Sequence, residues 1–144
     1  MKTLVIDASI AIKWVIEESG TREALALRAG HRLIAPDLLV AECANILWKK
    51  TQRGELTVQE SELAAKLLQR ADVELLPMRP LLLAALGLAI SLEHPAYDCI
   101  YLALALERAA QFVTADERLL RKIASVPDAS FRAAAVGLKD FPTK

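Results

Sequence analysis

Short apolar runs alternate with longer stretches of helical periodicity along this chain. Residues 3–6, 31–35, 73–76 and 111–114 are brief, mostly apolar and bounded by Asp, Pro or Gly, the pattern of strands buried in a parallel sheet. Helical patterns lie between them at 9–16, 21–29, 37–53, 57–71, 80–91 and 97–110. Their ends carry local signals. Lys49, Lys50 and Arg53 crowd one last turn, and Gly54 stops it. Thr57 and Glu60 have the spacing of a capping box. Pro77 closes the third strand, and His94-Pro95 breaks the chain before the last long helix. Beyond residue 126 the pattern weakens, with a final edge strand expected at 133–136. Strands alternating with helices predict an α/β fold, a three-layer α/β/α sandwich around a mostly parallel sheet.

The segment YDCIYLALALERAAQFVTADERLL, residues 97–120, organises the rest. Its helix is apolar on every face from Ile100 to Leu106 and is therefore expected to be buried. A helix of that length rises roughly 20 Å, and the strand after it returns about 13 Å, so the chain comes back near its starting edge. Asp98 in the first helical turn and Asp116 just past the strand are thus expected at the same edge. Asp7 ends the first strand, and Glu42 lies in the second turn of the helix after the second strand. Sites in parallel sheets form outside the carboxyl ends of the strands, which is where all four acids fall.

Composition narrows the reading. The chain has 144 residues, enough for one domain (1–144) with one core. Hydrophobic residues are 54% and aromatics only 5%, so the core is mainly aliphatic, and the excess is compatible with a subunit or partner surface. Eighteen basic and eighteen acidic residues cancel, so no global positive field draws nucleic acid. RNA or DNA binding would then need local basic patches or metal ions. Cys43 and Cys99 lie in apolar helices without Cys/His ligand spacing and read as buried free thiols, fitting a reducing cytoplasm. The start MKTLVIDASI has no secretory apolar region, and the apolar run 81–90 is too short to span a bilayer, so no membrane association is expected.

Glu42 interrupts the apolar stretches LLVA and CANIL, and Asp7 ends an apolar strand with no basic neighbour in sequence. Each has an ordinary alternative, a snorkelling surface acid for Glu42 and helix N-terminal caps for Asp7, Asp98 and Asp116. Two carboxylates ~4 Å apart repel by roughly 4 kcal/mol at an effective dielectric of 20. Four gathered together need protons or cations, and oxygen-only ligands suit Mg²⁺ or Mn²⁺ rather than zinc. Such ions activate water and hold phosphate, which points to phosphodiester hydrolysis. Ser9 and Thr114, two residues from Asp7 and Asp116, are candidates to orient carboxylates or waters, or are simple cap and turn hydroxyls.

LVIDASIAIKW (4–14), APDLLVAECANIL (35–47), YDCIYLALAL (97–106) and FVTADERLL (112–120) together resemble the PIN-domain ribonucleases, specifically the VapC toxins of type II toxin–antitoxin systems. The resemblance covers nearly the whole chain in the family's order. It places Asp7, Glu42, Asp98 and Asp116 on the family's acidic quartet, and Thr114 and Ser9 on its hydroxyl positions. It implies a PIN-like fold and Mg²⁺- or Mn²⁺-dependent endonucleolytic cleavage of RNA. Asp7, Asp98 and Asp116 would be the main metal ligands, with Glu42 binding a metal or helping to activate the water. It further implies a homodimer and a cognate antitoxin whose tail covers the site. The apolar helices 37–53 and 57–71 are a candidate groove for that tail, although core packing explains their faces equally.

Lys13, about one turn from Ser9, is the best-placed candidate RNA contact. Lys49, Lys50, Arg53, Arg118, Arg121 and Lys122 are further basic candidates. His31 and His94 read as structural, and Trp14 and Trp48 as packing residues. A dehalogenase-type phosphatase would want an Asp at position 9, a receiver domain an Asp after the central strand, and a P-loop enzyme a Gly-rich Lys loop. None is present. The rival from another class is a non-catalytic PIN-like module that only binds a protein.

Overall fold

The computed structural model describes residues 1–142. Five strands form one parallel sheet: β1 (Lys2–Ile6), β2 (His31–Pro36), β3 (Glu74–Leu76), β4 (Gln111–Thr114) and β5 (Ala135–Gly137). Their order is β3-β2-β1-β4-β5. The helices are α1 (Ala8–Val15), α2 (Thr21–Arg28), α3 (Leu38–Gln52), α4 (Val58–Gln69), α5 (Leu82–Leu92), α6 (Ala96–Arg108), α7 (Glu117–Ala124) and α8 (Ala129–Ala133). The α/β architecture expected from the alternating pattern is present.

The sequence runs outward from β1 to β2 to β3, then jumps back across the sheet to β4 and on to β5. Parallel crossovers are right-handed, so this reversal puts α1–α4 on one face and α5–α8 on the other. Contacts agree: α1 packs on α2, α3 and α4, whereas α6 packs on α5 and across β1, β2 and β4. The sheet's middle is the core, with Leu4, Val5, Ile6, Ile34, Phe112 and Val113 essentially buried. The strand order reverses between β1 and β4, the position at which sheets of this kind form sites at their carboxyl edge.

Local chemistry sets the ends of these elements. Thr57 accepts a hydrogen bond from the Glu60 amide, and Glu60 returns one from the Thr57 amide, completing the expected capping box. α6 ends at Ala109 with φ +50°, and α5 ends at Glu93 with φ 52°. Both take the left-handed conformation that glycine adopts without cost.

Three expectations are corrected. The last strand lies at Ala135–Gly137 rather than 133–136, because the short α8, capped by Asp128, occupies the preceding residues. Leu106, read as part of a helix buried all round, is 42% exposed near the end of α6. The expected α5 is present, preceded by a 3-10 turn at Arg79–Leu81, but most of it is uncovered: Leu82, Leu83, Leu86 and Ile90 are 50–82% exposed. Among the described residues no single helix is long and apolar enough to cross a membrane.

Candidate active site

The pairing of β1 with β4 sets the centre of the site. Ile6 lies opposite Val113, so the next residues, Asp7 and Thr114, leave the sheet side by side. The Thr114 hydroxyl donates to Asp7 Oδ2 at 2.5 Å, and the Ser9 hydroxyl donates to Oδ1 at 2.5 Å. Ser9 Oγ also accepts from the Ala115 amide at 3.0 Å, tying the first turn of α1 to the end of β4. Asp7 is at once the N-cap of α1 and the most buried acid of the group. Burial pushes its carboxyl up to about 6; the two hydroxyls offset part of that, and the charge of Asp98 adds to it.

Glu42 reaches the same edge from α3. Its Oε1 accepts from the Tyr101 hydroxyl at 2.5 Å. Tyr101 is fully buried on α6 and stacks on Phe112 with centroids 5.8 Å apart. Burial raises the proton affinity of Glu42, the tyrosine hydroxyl lowers it, and the Asp98 charge raises it. Asp98, in the first turn of α6, lies 2.6 Å from Nε2 of the buried His94. As a carboxylate Asp98 only accepts, so Nε2 carries the proton of this bond. Asp116 caps α7 by accepting from the Leu119 amide at 3.1 Å, and its own amide donates to Thr114 Oγ1 at 3.1 Å.

The charge of Asp98 therefore acts on both Asp7 and Glu42, and the Asp116 amide is tied to Asp7 through Thr114. Among the described residues none of the Lys and Arg ion pairs involves any of the four. Converging carboxylates without a basic partner form a donor set suited to a hard divalent cation. Yet among the described residues no three Asp, Glu, His or Cys side chains close around a single point. Instead each carboxylate accepts a hydrogen bond from the protein itself.

A family model of the PIN domain matches residues 4–126. The chain belongs to the PIN-domain family. Ribonuclease VapC3 of Pyrobaculum aerophilum is 32% identical over 125 residues, covering 83% of this chain and 93% of that protein. The crystal structure of PAE2754 from Pyrobaculum aerophilum shares the fold at a TM-score of 0.68, with 20% identity, over 96% of this chain and 85% of that one.

In this PIN domain the remaining sequence candidates fare unevenly. The Lys13 ammonium is engaged by Glu18 at 3.1 Å and by the Ser19 carbonyl at 2.7 Å. Lys50 also pairs with Glu18, and Arg53 stands 3.8 Å from Glu55. Trp14 packs as expected, donating to the Ala24 carbonyl, but Trp48 is 57% exposed. It lies on the outer side of α3, whose inner side is filled by Cys43 and Leu47. Between α3 and α4 lies an apolar groove of about 480 Å³, lined in part by Trp14, Leu39, Leu47 and Leu68. His31 is structural, its Nδ1 lying 3.0 Å from the Leu27 carbonyl. His94 and Tyr101 touch the acids directly, which the sequence reading missed. For His94 a signal was there: it stands four residues before Asp98, in the turn that leads into α6.

Proposed function

We propose that this PIN domain is a metal-dependent endoribonuclease, the toxin of a type II toxin–antitoxin pair. The observation that carries the proposal is the gathering of Asp7, Glu42 and Asp98 at the β1–β4 switch point, with no Lys or Arg paired to any of them among the described residues. The similarity to a protein named Ribonuclease VapC3 supports the reading. Asp7, Glu42, Asp98 and Asp116 would hold Mg²⁺ or Mn²⁺. The bound ion supplies charge that polarises the phosphate and acidifies water. Ser9 and Thr114 keep Asp7 in one orientation, since each donates to a different oxygen. Glu42, whose proton affinity burial raises, would be the group that takes a proton from the attacking water. RNA is the substrate and Lys13 a phosphate contact, which requires its ammonium to leave Glu18.

The partners follow from uncovered surface. The α3–α4 groove suits an apolar segment of an antitoxin. Leu82, Leu86 and Ile90 recur at four-residue spacing on α5, with Leu83 beside them, and α5 carries no charge. Such a face needs no charge complement, which suits a homodimer built on two copies of it. The cytoplasm is the compartment in which Cys43 and Cys99 stay reduced.

One observation favours the rival, a PIN-like interaction module without activity: each of the four acids already accepts a hydrogen bond from the protein. The deciding experiment incubates purified protein with total cellular RNA in Mg²⁺ or Mn²⁺, beside EDTA, Asp98→Asn and Asp116→Asn. Any co-purified partner is first removed by denaturation and refolding. Discrete metal-dependent fragments lost in both variants support the nuclease. Fragments that persist unchanged in the variants overturn the site, and no cleavage with refolded protein passes the lead to the interaction module.

A further inference from the structure

We infer that Tyr101 and His94 are positioning residues, each tethering one oxygen of a site carboxylate so that its other oxygen faces the ion. This rests on the metal-site reading above. The pattern of hydrogen bonds is specific. Glu42 accepts through Oε1 only, from Tyr101, and Asp98 through Oδ2 only, from His94. Among the described residues, Oε2 of Glu42 and Oδ1 of Asp98 have no protein donor. No polar side-chain atom is both buried and unpartnered, so these two oxygens reach solvent. Asp7, by contrast, has both oxygens occupied.

The tethers are rigid at their far ends. The Tyr101 ring is fully buried and stacked nearly parallel to Phe112, at 9° between planes. The His94 side chain is only 5% exposed, and its amide donates to the Ala89 carbonyl at the end of α5 at 3.2 Å. Both donors belong to α6 or the turn leading into it, yet they grip acids on two different helices. Glu42 on α3 is thus aligned to Asp98 on α6 through one packed framework. A hydrogen bond to one oxygen fixes the direction of a carboxylate and leaves its other oxygen for the ion. Partners of this kind behind metal ligands typically change metal affinity 10–100-fold.

The test is Mn²⁺ binding to the full chain by calorimetry, with no RNA present. The variants are Tyr101→Phe, which keeps the stacked ring, His94→Leu, and His94→Gln, which retains an N–H donor at similar reach. Circular dichroism and a melting curve check that each folds. Tyr101→Phe and His94→Leu should weaken Mn²⁺ binding about 10-fold or more, with His94→Gln restored close to wild type. A lowered melting temperature with Mn²⁺ affinity unchanged or tighter would mean a merely structural role and overturn the inference. So would His94→Gln binding as weakly as His94→Leu. If the wild type binds no Mn²⁺, or Asp98→Asn binds it equally, the metal-site reading falls and takes the inference with it.

Discussion

At the scale of single residues, Asp7 carries the largest consequence. Its carboxyl rises from 3.8 to about 6 because burial disfavours the charge more than two hydroxyls favour it. The protonated form is therefore preferred in the folded state, and stability present at low pH is lost as pH climbs from about 4 through about 6. In metal-free protein the loss is on the order of 3 kcal/mol above that window, at ~1.4 kcal/mol per pH unit of displacement. Asp7→Asn keeps the cap and does not titrate. Urea unfolding in EDTA should find it more stable than wild type at pH 8, with the gap shrinking towards pH 4. A gap independent of pH would show that Asp7 is not the titrating group. The cysteines offer a second check. Burial, aided by neighbouring carboxylates, pushes Cys43 up to about 12 and Cys99 up to about 11. Little thiolate exists at pH 8, so both should resist a thiol reagent until denaturant is added. Fast labelling of either native thiol would contradict this burial. That these thiols are buried and free was readable from their apolar helical neighbours. That Glu42 bonds to Tyr101 was not, because that bond joins side chains far apart in the chain that only the tertiary fold aligns.

At the scale of elements, the α6–β4 unit brings Asp98 and Asp116 to one edge, and the turn between them is strained. Ala109 holds φ +50° while its amide closes the helix on the Ala105 and Leu106 carbonyls. Glycine takes this conformation freely, whereas a side chain costs roughly 1 kcal/mol there. Ala109→Gly should stabilise the protein by about 0.5–1 kcal/mol, since relief in the folded state outweighs the extra freedom of the unfolded chain. Equilibrium unfolding reads this directly, and a destabilised variant would rule out strain as the dominant effect. The element boundaries were largely legible, since caps and strand-ending Asp and Pro residues act locally. The exception was the region after Val126. Asp128 starts a helix too short to show a period, and the last strand is accordingly displaced.

At the scale of the whole molecule, the uncovered face of α5 is the feature that most needs a partner. Stable interfaces bury about 800 Å² per subunit around an apolar centre. Leu83, at 82% exposure, and Ile90, at 70%, stand where such a centre would be. Light scattering should find a dimer for wild type and a folded monomer for Leu83→Glu/Ile90→Glu. A monomeric wild type, or a double variant that stays dimeric, would move the interface elsewhere. From the sequence the covering of α5 was not legible, because an uninterrupted apolar run has the same composition whether its own chain or another covers it.

What the sequence determined by itself is the local grammar of the fold. The alternation of short apolar runs with helical periods set an α/β sandwich. Asp7, Glu42, Asp98 and Asp116 stood at strand ends or in early helical turns, positions that parallel sheets collect at one edge. These properties need only neighbours within a few residues. The tertiary structure alone decided the rest: the order β3-β2-β1-β4-β5, the register that sets Asp7 beside Thr114, the Tyr101 tether on Glu42, and the bareness of α5. Each depends on how elements distant in the chain pack, and a slip of one residue in a strand turns every side chain to the other face. Spacing along the chain carries no record of that choice, whereas close packing of the folded core leaves only one.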